Sequence, residues 1–203
     1  MMERATTIEA HLAARLRSLR ARRGQTLDGL AARSGVSRSM ISLIERGESS
    51  PTASVLDKLA ASLGVTLAAL FAEEERPGAD PVSRHADQTA WRDPGTGYVR
   101  RNLSPAGFPS PIELVEVKLP PQAHVAYENS PRPAVLDQQV WVLEGALEVR
   151  VGETTHRLAA GDCLAMRVDR PTGFHNPGPE ATRYLVALSS SAGRSRAKGA
   201  IQV

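Results

Sequence analysis

Cysteine is almost absent from this chain of 203 residues, which contains only Cys163. A single cysteine excludes an internal disulfide, and therefore the kind of disulfide framework that holds small secreted domains together. We expect a protein of the reducing cytoplasm. Because Leu164, Ala165 and Met166 follow Cys163, we expect this thiol to be a small buried side chain rather than a redox sensor.

Long hydrophobic runs and aromatic residues are scarce as well. No apolar run approaches the roughly 20 residues of a membrane span, and no signal peptide precedes the first predicted helix, so we expect no membrane partner. Aromatic residues make up 4% of the chain, whereas hydrophobic residues as a whole make up 41%. Aliphatic side chains must therefore form most of the core.

The chain has only a small excess of positive charge, with a net charge of +3, and this charge is unevenly distributed. Residues 1–71 contain 10 Lys and Arg against 6 Asp and Glu, and residues 72–203 contain 15 against 16. A basic N-terminal third is what a phosphate-binding surface requires. The first predicted helix contains five arginines, which suit either phosphate contact or a solvated face: Arg15, Arg17, Arg20, Arg22 and Arg23.

Two hydrophobic periodicities divide the chain. Apolar residues at helical spacing recur from residue 8 to residue 71 and predict five helices. From about residue 89 the spacing changes to two, and short strands with Gly and Pro in the turns predict an antiparallel sandwich or barrel. We therefore predict a two-domain α + β protein, with an all-α domain at 8–71, a linker at 72–88, a β domain at 89–190 and a flexible tail at 191–203.

The segment from Gly24 to Gly47 predicts two short helices joined by a tight turn. Thr26 and Ser37 can each cap a helix N-terminus with a hydroxyl, and Gly35 can end the first helix in the left-handed conformation. Two helices separated by about four residues, with Gly in the turn, form the helix-turn-helix arrangement. An ordinary helical hairpin with a solvated polar face is the alternative. The second helix exposes four side chains that can bond base edges or phosphates: Arg38, Ser39, Ser42 and Arg46.

Residues 15–71, RLRSLRARRGQTLDGLAARSGVSRSMISLIERGESSPTASVLDKLAASLGVTLAALF, resemble the lambda-repressor-like (xenobiotic-response-element) helix-turn-helix family. The resemblance covers all five helices of that domain and implies binding to double-stranded DNA. It implies an ion pair between Arg20 of the first helix and Glu45 of the recognition helix. It implies phosphate contacts from Gln25, Thr26 and Arg46. The predicted DNA-binding set, including the base-facing residues and the cap of the recognition helix, is Gln25, Thr26, Ser37, Arg38, Ser39, Ser42 and Arg46.

The β half carries three motifs in a fixed order: VWVLEGALEVRVG, RLAAGDCLAM and RPTGFHNPGPE. Over roughly residues 108–189 they resemble the cupin family, a small double-sheet jelly roll. Many cupins hold a metal ion in the barrel with two or three His and a carboxylate. The positions that often carry these ligands hold other residues in this chain: Arg132, Pro133, Gln138 and Thr172. Because the guanidinium of Arg132 cannot ligate a metal, we expect no metal cofactor here.

Those substitutions predict a site for a small molecule instead. Arg132 offers a fork of donors that suits a carboxylate, phosphate or sulfate, and Gln138 and Thr172 can both donate and accept. With Phe174 on the same strand parity, these side chains are predicted to line an apolar cavity with a few convergent polar groups. The alternative is that Arg132 points outward and the barrel is filled by its own side chains.

Together the two resemblances imply a bacterial transcription regulator with an N-terminal helix-turn-helix and a C-terminal cupin. We expect it to bind operator DNA as a homodimer and to respond to a small-molecule effector, without enzymatic activity or catalytic residues. Two alternatives remain open. One is a mononuclear iron enzyme of epoxidase or dioxygenase type, which requires two His and a carboxylate. The other is a DNA-binding protein whose cupin serves only for dimerisation.

Overall fold

The computed structural model describes residues 2–74, 76–128 and 135–191. The chain begins with five helices: α1 (Met2–Arg22), α2 (Leu27–Ser34), α3 (Arg38–Glu45), α4 (Ala53–Ser62) and α5 (Leu67–Phe71). A single 3-10 turn follows at His85–Asp87. The described strands are β1 (Ala90–Arg92), β2 (Val99–Asn102), β3 (Ile112–Leu119), β4 (His124–Tyr127), β5 (Val135–Glu144), β6 (Ala146–Val151), β7 (Thr154–Ala159), β8 (Cys163–Arg167), β9 (Thr172–His175) and β10 (Thr182–Ser191).

Hydroxyl side chains cap the N-termini of four helices. Each accepts a hydrogen bond from a backbone N–H of the first turn, which satisfies a donor that the helix itself leaves unpaired. The capping residues of α2, α3, α4 and α5 are Thr26, Ser37, Thr52 and Thr66. Gly35 ends α2 in the left-handed conformation, with φ of 68°. The first helix begins at Met2, earlier than the apolar stripe that starts at Ile8 had indicated.

The strands form two antiparallel sheets that pack face to face. One sheet has six strands in the order β1-β2-β3-β10-β5-β8, and the other has four in the order β4-β9-β6-β7. Val186 of β10 lies between Val115 and Val140 in the register of the larger sheet, and all three are buried. Val149 and Phe174 face them from the smaller sheet. Five helices followed by an antiparallel jelly roll confirm the predicted fold class.

Cys163 lies on the outer face of β8. Strand side chains alternate between the two faces of a sheet, so Leu164 and Met166 pack against the core while Cys163 and Ala165 are exposed. The expectation that Cys163 is buried is therefore wrong, because strand parity places it with Ala165 and not with Leu164.

The helical and β regions pack directly against each other. Ala53, at the start of α4, donates its backbone N–H to Asp93 Oδ1 at 3.0 Å. Thr66 donates its hydroxyl to Glu113 Oε2 at 2.8 Å. Phe71 of α5 and Trp91 of β1 are in ring contact, with centroids 5.5 Å apart. The buried hydrophobic side chains of both regions consequently form one continuous cluster.

The segment predicted as a linker contacts both regions. Arg76 donates its backbone N–H to Gly107 O at 2.9 Å, and Glu74 pairs with Arg15 of α1 at 3.2 Å. The connection therefore follows the surface of the protein and is held at several points. No helix among the described residues is long and apolar enough to cross a membrane.

Candidate DNA-binding surface and candidate ligand cavity

The α2–α3 pair presents one face to solvent and one to the core. Ile41 and Ile44 of α3 are buried, and Leu30 of α2 is buried beside them. Both ends of the turn between the helices are fixed locally, by Gly35 as the C-cap of α2 and by Ser37 as the N-cap of α3. The exposed face of α3 is therefore held in a defined orientation by apolar contacts beneath it.

The predicted DNA-contacting side chains lie on α3 and its two caps, except for Gln25 and Thr26, which lie just before α2. Gln25 and Ser42 are half-exposed, and the remaining members are exposed: Thr26, Ser37, Arg38, Ser39 and Arg46. Arg38 Nε lies 3.1 Å from Asp28 Oδ1, and Arg46 Nε lies 2.8 Å from Glu48 Oε1. Exposed ion pairs of this kind contribute about 0–1 kcal/mol. The carboxylates can therefore be replaced by phosphate or guanine acceptors at little cost.

Two of these residues also have structural roles. Thr26 Oγ1 accepts from Gly29 N at 3.0 Å, and Ser37 Oγ accepts from Met40 N at 3.3 Å. Ser37 Oγ also lies 3.2 Å from Ser39 Oγ. These hydroxyls complete the first turns of α2 and α3, which fixes the backbone that carries the exposed arginines.

Arg20 and Glu45 form a bidentate pair that joins α1 to α3. Arg20 Nε donates to Glu45 Oε1 and Arg20 Nη2 donates to Oε2, both at 2.7 Å. Arg20 Nη1 also donates to Gln25 O at 2.8 Å. The hydrogen bond with Glu45 raises the pKa of Arg20 above its ordinary value. Glu45 is buried, so its carboxylate holds α3 against α1 and does not lie on the exposed face of α3.

A second site lies inside the jelly roll. It is a cavity of about 80 Å³ between the two sheets and the helical region. Three of the predicted ligand-binding side chains, Gln138, Thr172 and Phe174, lie on its wall. The fourth, Arg132, lies outside the described residues. Val140 and Val142 of β5, with the same strand parity as Gln138, are fully buried and do not line the cavity.

Sequence reasoning missed the cation on this wall. Arg100 of β2 lines the cavity and is 5% exposed. Its Nε has no hydrogen-bond partner in the described part of the chain, and its guanidinium carbon lies 5.1 Å from the centroid of the Phe71 ring. The neighbouring Arg101 lies on the opposite face of the strand, 4.0 Å from Glu116. The alternation of Tyr98 and Arg100 predicts only that both side chains point to the same side of the extended chain, and not that this side faces the core.

Three tyrosines surround Arg100 in the cavity: Tyr98, Tyr127 and Tyr184. Tyr127 donates its hydroxyl to Tyr98 at 3.5 Å. Burial raises the pKa of Tyr98 and raises the pKa of Tyr127 and of Tyr184 well above the ordinary value of 10.0. All three side chains are neutral at physiological pH, as an ordinary tyrosine is, and the upward shifts keep them so; the Tyr127 O–H is used in its bond to Tyr98.

The helical region supplies part of the cavity wall. Asp57 of α4, Thr66 at the start of α5 and Leu67 of α5 line it together with the strands. A larger groove of about 1070 Å³ runs between α1 and residues 83–113, but Arg100 does not reach it. Because the smaller cavity contains the buried cation and three of the predicted residues, we treat it as the candidate ligand site.

Two family profiles match the chain, one in the helical region and one in the β region. Residues 16–70 match the Helix-turn-helix family profile and residues 115–188 match the Cupin domain profile. The chain is a helix-turn-helix protein with a C-terminal cupin domain. This confirms the two resemblances on which the sequence analysis relied.

The similarity to known proteins extends over most of the chain. The HTH-type transcriptional regulator SutR of Escherichia coli K12 is 27% identical over 173 residues, covering 85% of this chain and 91% of that protein. The HTH-type transcriptional regulator PuuR of the same organism is 26% identical over the same shares of both chains. The crystal structure of an HTH_3 family transcriptional regulator from Vibrio cholerae matches with a TM-score of 0.70 at 27% identity, covering 91% of this chain and 98% of that one.

The cupin cavity does not fit a transition metal. A metal site of the usual cupin type needs imidazole and carboxylate lone pairs that converge on one point. Among the described residues, the polar side chains on this wall are an arginine, an amide, two threonines and three tyrosines, with Asp57 as the one carboxylate. Within the described ranges no group of three or more His, Cys, Asp and Glu is arranged to hold a metal ion. We therefore derive no chemistry through a metal.

Proposed function

We propose that this protein is a transcription regulator that binds operator DNA through α3 and responds to a small molecule in the cupin cavity. The observation that carries the proposal is the division of α3 into two faces. Arg38 and Ser39 are exposed in its first turn, whereas Ile41, Ile44 and Glu45 hold its opposite face against the core. Relatives named as transcriptional regulators, matched over most of their length, support it.

The chemistry of the exposed face suits DNA. Arg38 can pair with two acceptors of a guanine, and Ser39 and Ser42 can bond base edges from the same face of the helix. Gln25 and Thr26 flank the first turn of α2, where side chains and backbone N–H groups position a domain on phosphates. Arg46, at the end of α3, is placed for a phosphate. The base contacts then specify the sequence, and the phosphate contacts set the register.

A homodimer is the proposed form on DNA, and the outer face of the larger sheet is its proposed interface. Trp141 of β5 is 48% exposed there, with Ile112 and Leu114 of β3 exposed on the same face. An exposed apolar patch of this kind marks an interaction site. Arg183 and Glu144 form an exposed pair beside it at 2.6 Å. A patch with both charges is self-complementary about a two-fold axis, which suits a second copy of this chain.

The alternative of a mononuclear iron enzyme finds no support in the cavity. Iron oxygenases of that class bind their metal with two His and a carboxylate. The wall of this cavity places Arg100, Gln138 and Thr172 between the sheets. We therefore propose no catalytic role for the cupin domain.

The proposal is tested by footprinting the purified protein on its own promoter region. We expect a protected site with two half-sites about 34 Å apart, one helical turn of DNA. Arg38→Ala should weaken binding by about 1–3 kcal/mol and relax specificity at one base position. Arg157→Ala is the matched control, because it removes the same charge from an exposed side chain of the cupin domain.

Two results would count against the proposal. One is the absence of any protected site. The other is equal affinity of the wild type, Arg38→Ala and Arg157→Ala for the protected fragment. The dimer is tested separately by sedimentation, where Trp141→Lys should give a monomer with lower operator affinity. A wild-type protein that is monomeric both free and on DNA would contradict the proposed assembly.

A further inference from the structure

We propose that the cupin cavity binds a short-chain aliphatic carboxylate on the guanidinium of Arg100, between the β-strands and helices α4 and α5. This rests on the proposed function, since it names the effector class and the path by which the effector reaches the DNA-binding domain. The inference depends on four features of the cavity: a buried cation, hydroxyl donors, a small apolar volume and a wall shared by both domains.

The buried cation is the first feature. Arg100 is 5% exposed, and its Nε is without a hydrogen-bond partner in the part of the chain that the structure describes. Its polar neighbour is the neutral hydroxyl of Tyr98. Glu113, which accepts a hydrogen bond from Thr66 at 2.8 Å, interacts electrostatically with Arg100, and the buried Asp57 carboxylate lines the same cavity. A buried guanidinium with a free donor is costly unless an anion completes it. Arg is also the side chain best suited to a carboxylate, because its donors form a planar fork.

The hydroxyl donors are the second feature. Tyr98, Tyr127 and Tyr184 carry neutral hydroxyls on the cavity wall, and burial raises the pKa of each further above its ordinary value of 10.0. Neutral hydroxyls can donate to a carboxylate oxygen, and the Gln138 amide on the same wall can donate as well. An anion on Arg100 would therefore meet hydroxyl and amide donors on this part of the wall, with the Asp57 carboxylate on the α4 side of the cavity.

The volume of the cavity selects the size of the ligand. At about 80 Å³ it is far smaller than the roughly 300–1,000 Å³ of pockets for drug-sized ligands. Much of the wall is apolar, formed by Val115, Val117, Leu136, Val186 and Phe174. An inorganic anion such as sulfate or phosphate would place oxygens against these side chains. A carboxylate with a short alkyl chain places its charge on Arg100 and its methyl or methylene groups on the apolar wall.

The shared wall connects the cavity to the DNA-binding domain. Leu67 of α5 lines the cavity, and the Phe71 ring of the same helix lies 5.1 Å from the Arg100 guanidinium. A carboxylate on Arg100 therefore touches both domains in the docked arrangement and loses part of those contacts if the domains separate. A ligand shifts an equilibrium only by its differential affinity for the two states. Here the shared wall supplies that difference, so the carboxylate should favour the docked arrangement.

The test measures ligand binding and operator binding in parallel on the full chain. Calorimetry is performed with acetate, propionate and butyrate, with the neutral amides acetamide, propionamide and butyramide, and with sulfate and phosphate, all at constant ionic strength. We expect saturable binding of at least one carboxylate, binding of its amide at least tenfold weaker, and weaker binding of sulfate and phosphate. That carboxylate should also change the operator dissociation constant at least threefold.

Two variants and one control locate the site. Arg100→Gln should weaken carboxylate binding at least tenfold. Arg101→Gln, one residue further on the opposite face of β2, is the matched control and should bind like the wild type. Leu67→Phe, which fills the cavity from α5 and keeps Arg100, should abolish carboxylate binding. This variant keeps the test decisive if Arg100→Gln does not fold.

The outcomes separate this inference from the proposed function. If the protein binds its operator but no carboxylate binds, or carboxylates bind wild type, Arg100→Gln and Leu67→Phe equally, the inference is overturned and the regulator function stands. Tighter binding of sulfate, phosphate or the amides than of carboxylates also overturns it. If carboxylates bind in an Arg100-dependent way but no operator is found, the site stands as a carboxylate site and the proposed function fails.

Discussion

Arginines of the helix-turn-helix domain and of the cupin domain lie in opposite environments. The Arg38 side chain is 64% exposed and has a carboxylate at 3.1 Å, whereas Arg100 is 5% exposed with its Nε unpaired. In water an arginine needs no fixed partner, so the exposed pair costs little to break. In a cavity a guanidinium donor without a hydrogen-bond partner is costly, and this cost is one reason for the proposal that Arg100 binds an anion. The candidate DNA-binding surface is therefore identified by its sequence of exposed polar residues, and the candidate ligand site by a buried arginine donor that lacks a hydrogen-bond partner.

Aromatic side chains are also distributed unevenly between the two domains. The chain has only two Trp, three Tyr and three Phe, and the helical domain contains one of them, Phe71. Six of these rings form a continuous chain of contacts through the domain junction and the cavity: Phe71, Trp91, Tyr98, Tyr127, Phe174 and Tyr184. Aliphatic packing forms the helical domain, while the scarce aromatic residues are concentrated where the two domains meet.

Glu45→Ala tests the buried pair of the helical domain and should have the largest effect. It leaves the Arg20 guanidinium partly buried without its carboxylate, so we expect a loss of about 3–5 kcal/mol in the free energy of unfolding. Unfolding in guanidinium chloride, followed by the helical signal in circular dichroism, measures it. Glu48→Ala is the control, because the Arg46–Glu48 pair is exposed and its loss should leave the transition unchanged. Equal transitions for both variants would show that burial does not distinguish the two pairs.

Asp93→Ala tests the contact that joins the domains. Asp93 is buried and accepts from Ala53 N at 3.0 Å and from Thr96 N at 2.9 Å. Its removal leaves the Ala53 N–H without a partner at the start of α4, which should cost about 1–3 kcal/mol. Hydrogen exchange of the α4 amides should accelerate in Asp93→Ala and return towards the wild-type rate in Asp93→Asn, which keeps an acceptor. Unchanged α4 exchange would mean that this bond does not hold the domains together.

Glu113→Gln should have the smallest effect and depends on pH. Burial raises the pKa of Glu113 above its ordinary value of 4.5, so the folded state binds more protons than the unfolded state between the two values. The contribution of Glu113 to the free energy of unfolding is therefore fully present below pH 4.5, where the carboxyl is protonated in both states, and it is lost as the pH rises through the raised pKa. We expect Glu113→Gln to raise the Tm by no more than a few degrees at pH 7, with the difference shrinking towards pH 4. Glu116→Gln, on the outer face of the same strand, should show no such rise; a pH-independent difference for Glu113→Gln would contradict the assignment.

Much of the fold could be predicted from the sequence because its signals are local. The caps Thr26, Ser37, Thr52 and Thr66 bond to amides three residues away, and the period-two pattern indicates the strands without knowledge of their partners. The prediction that Gln138, Thr172 and Phe174 face one cavity followed from strand parity. The anion-binding role given to Arg132 falls on a residue outside the described part of the chain and stays a prediction.

The cation of the cavity could not be found in this way. Arg100 and Arg101 are neighbours of the same type, and only the pairing of β2 with β3 decides which one faces inward. That register places Arg100 opposite Val117, in the core, and Arg101 opposite Glu116, on the outer face. The prediction that Cys163 is buried was wrong for the same reason, because its apolar sequence neighbours do not show which face of β8 it lies on.

Caps, glycine turns and hydrophobic periods act within a few residues, so the sequence alone predicted five helices followed by antiparallel strands, and its motifs resembled the helix-turn-helix and cupin families. The burial of Arg100 in the cavity, and the position of Leu67 of the helical domain on the cavity wall, became known only from the three-dimensional structure. Those facts depend on contacts such as Ala53–Asp93 and Thr66–Glu113, which join residues 40 and 47 positions apart. Such contacts form only when both domains dock, and no local pattern encodes the surface on which they meet.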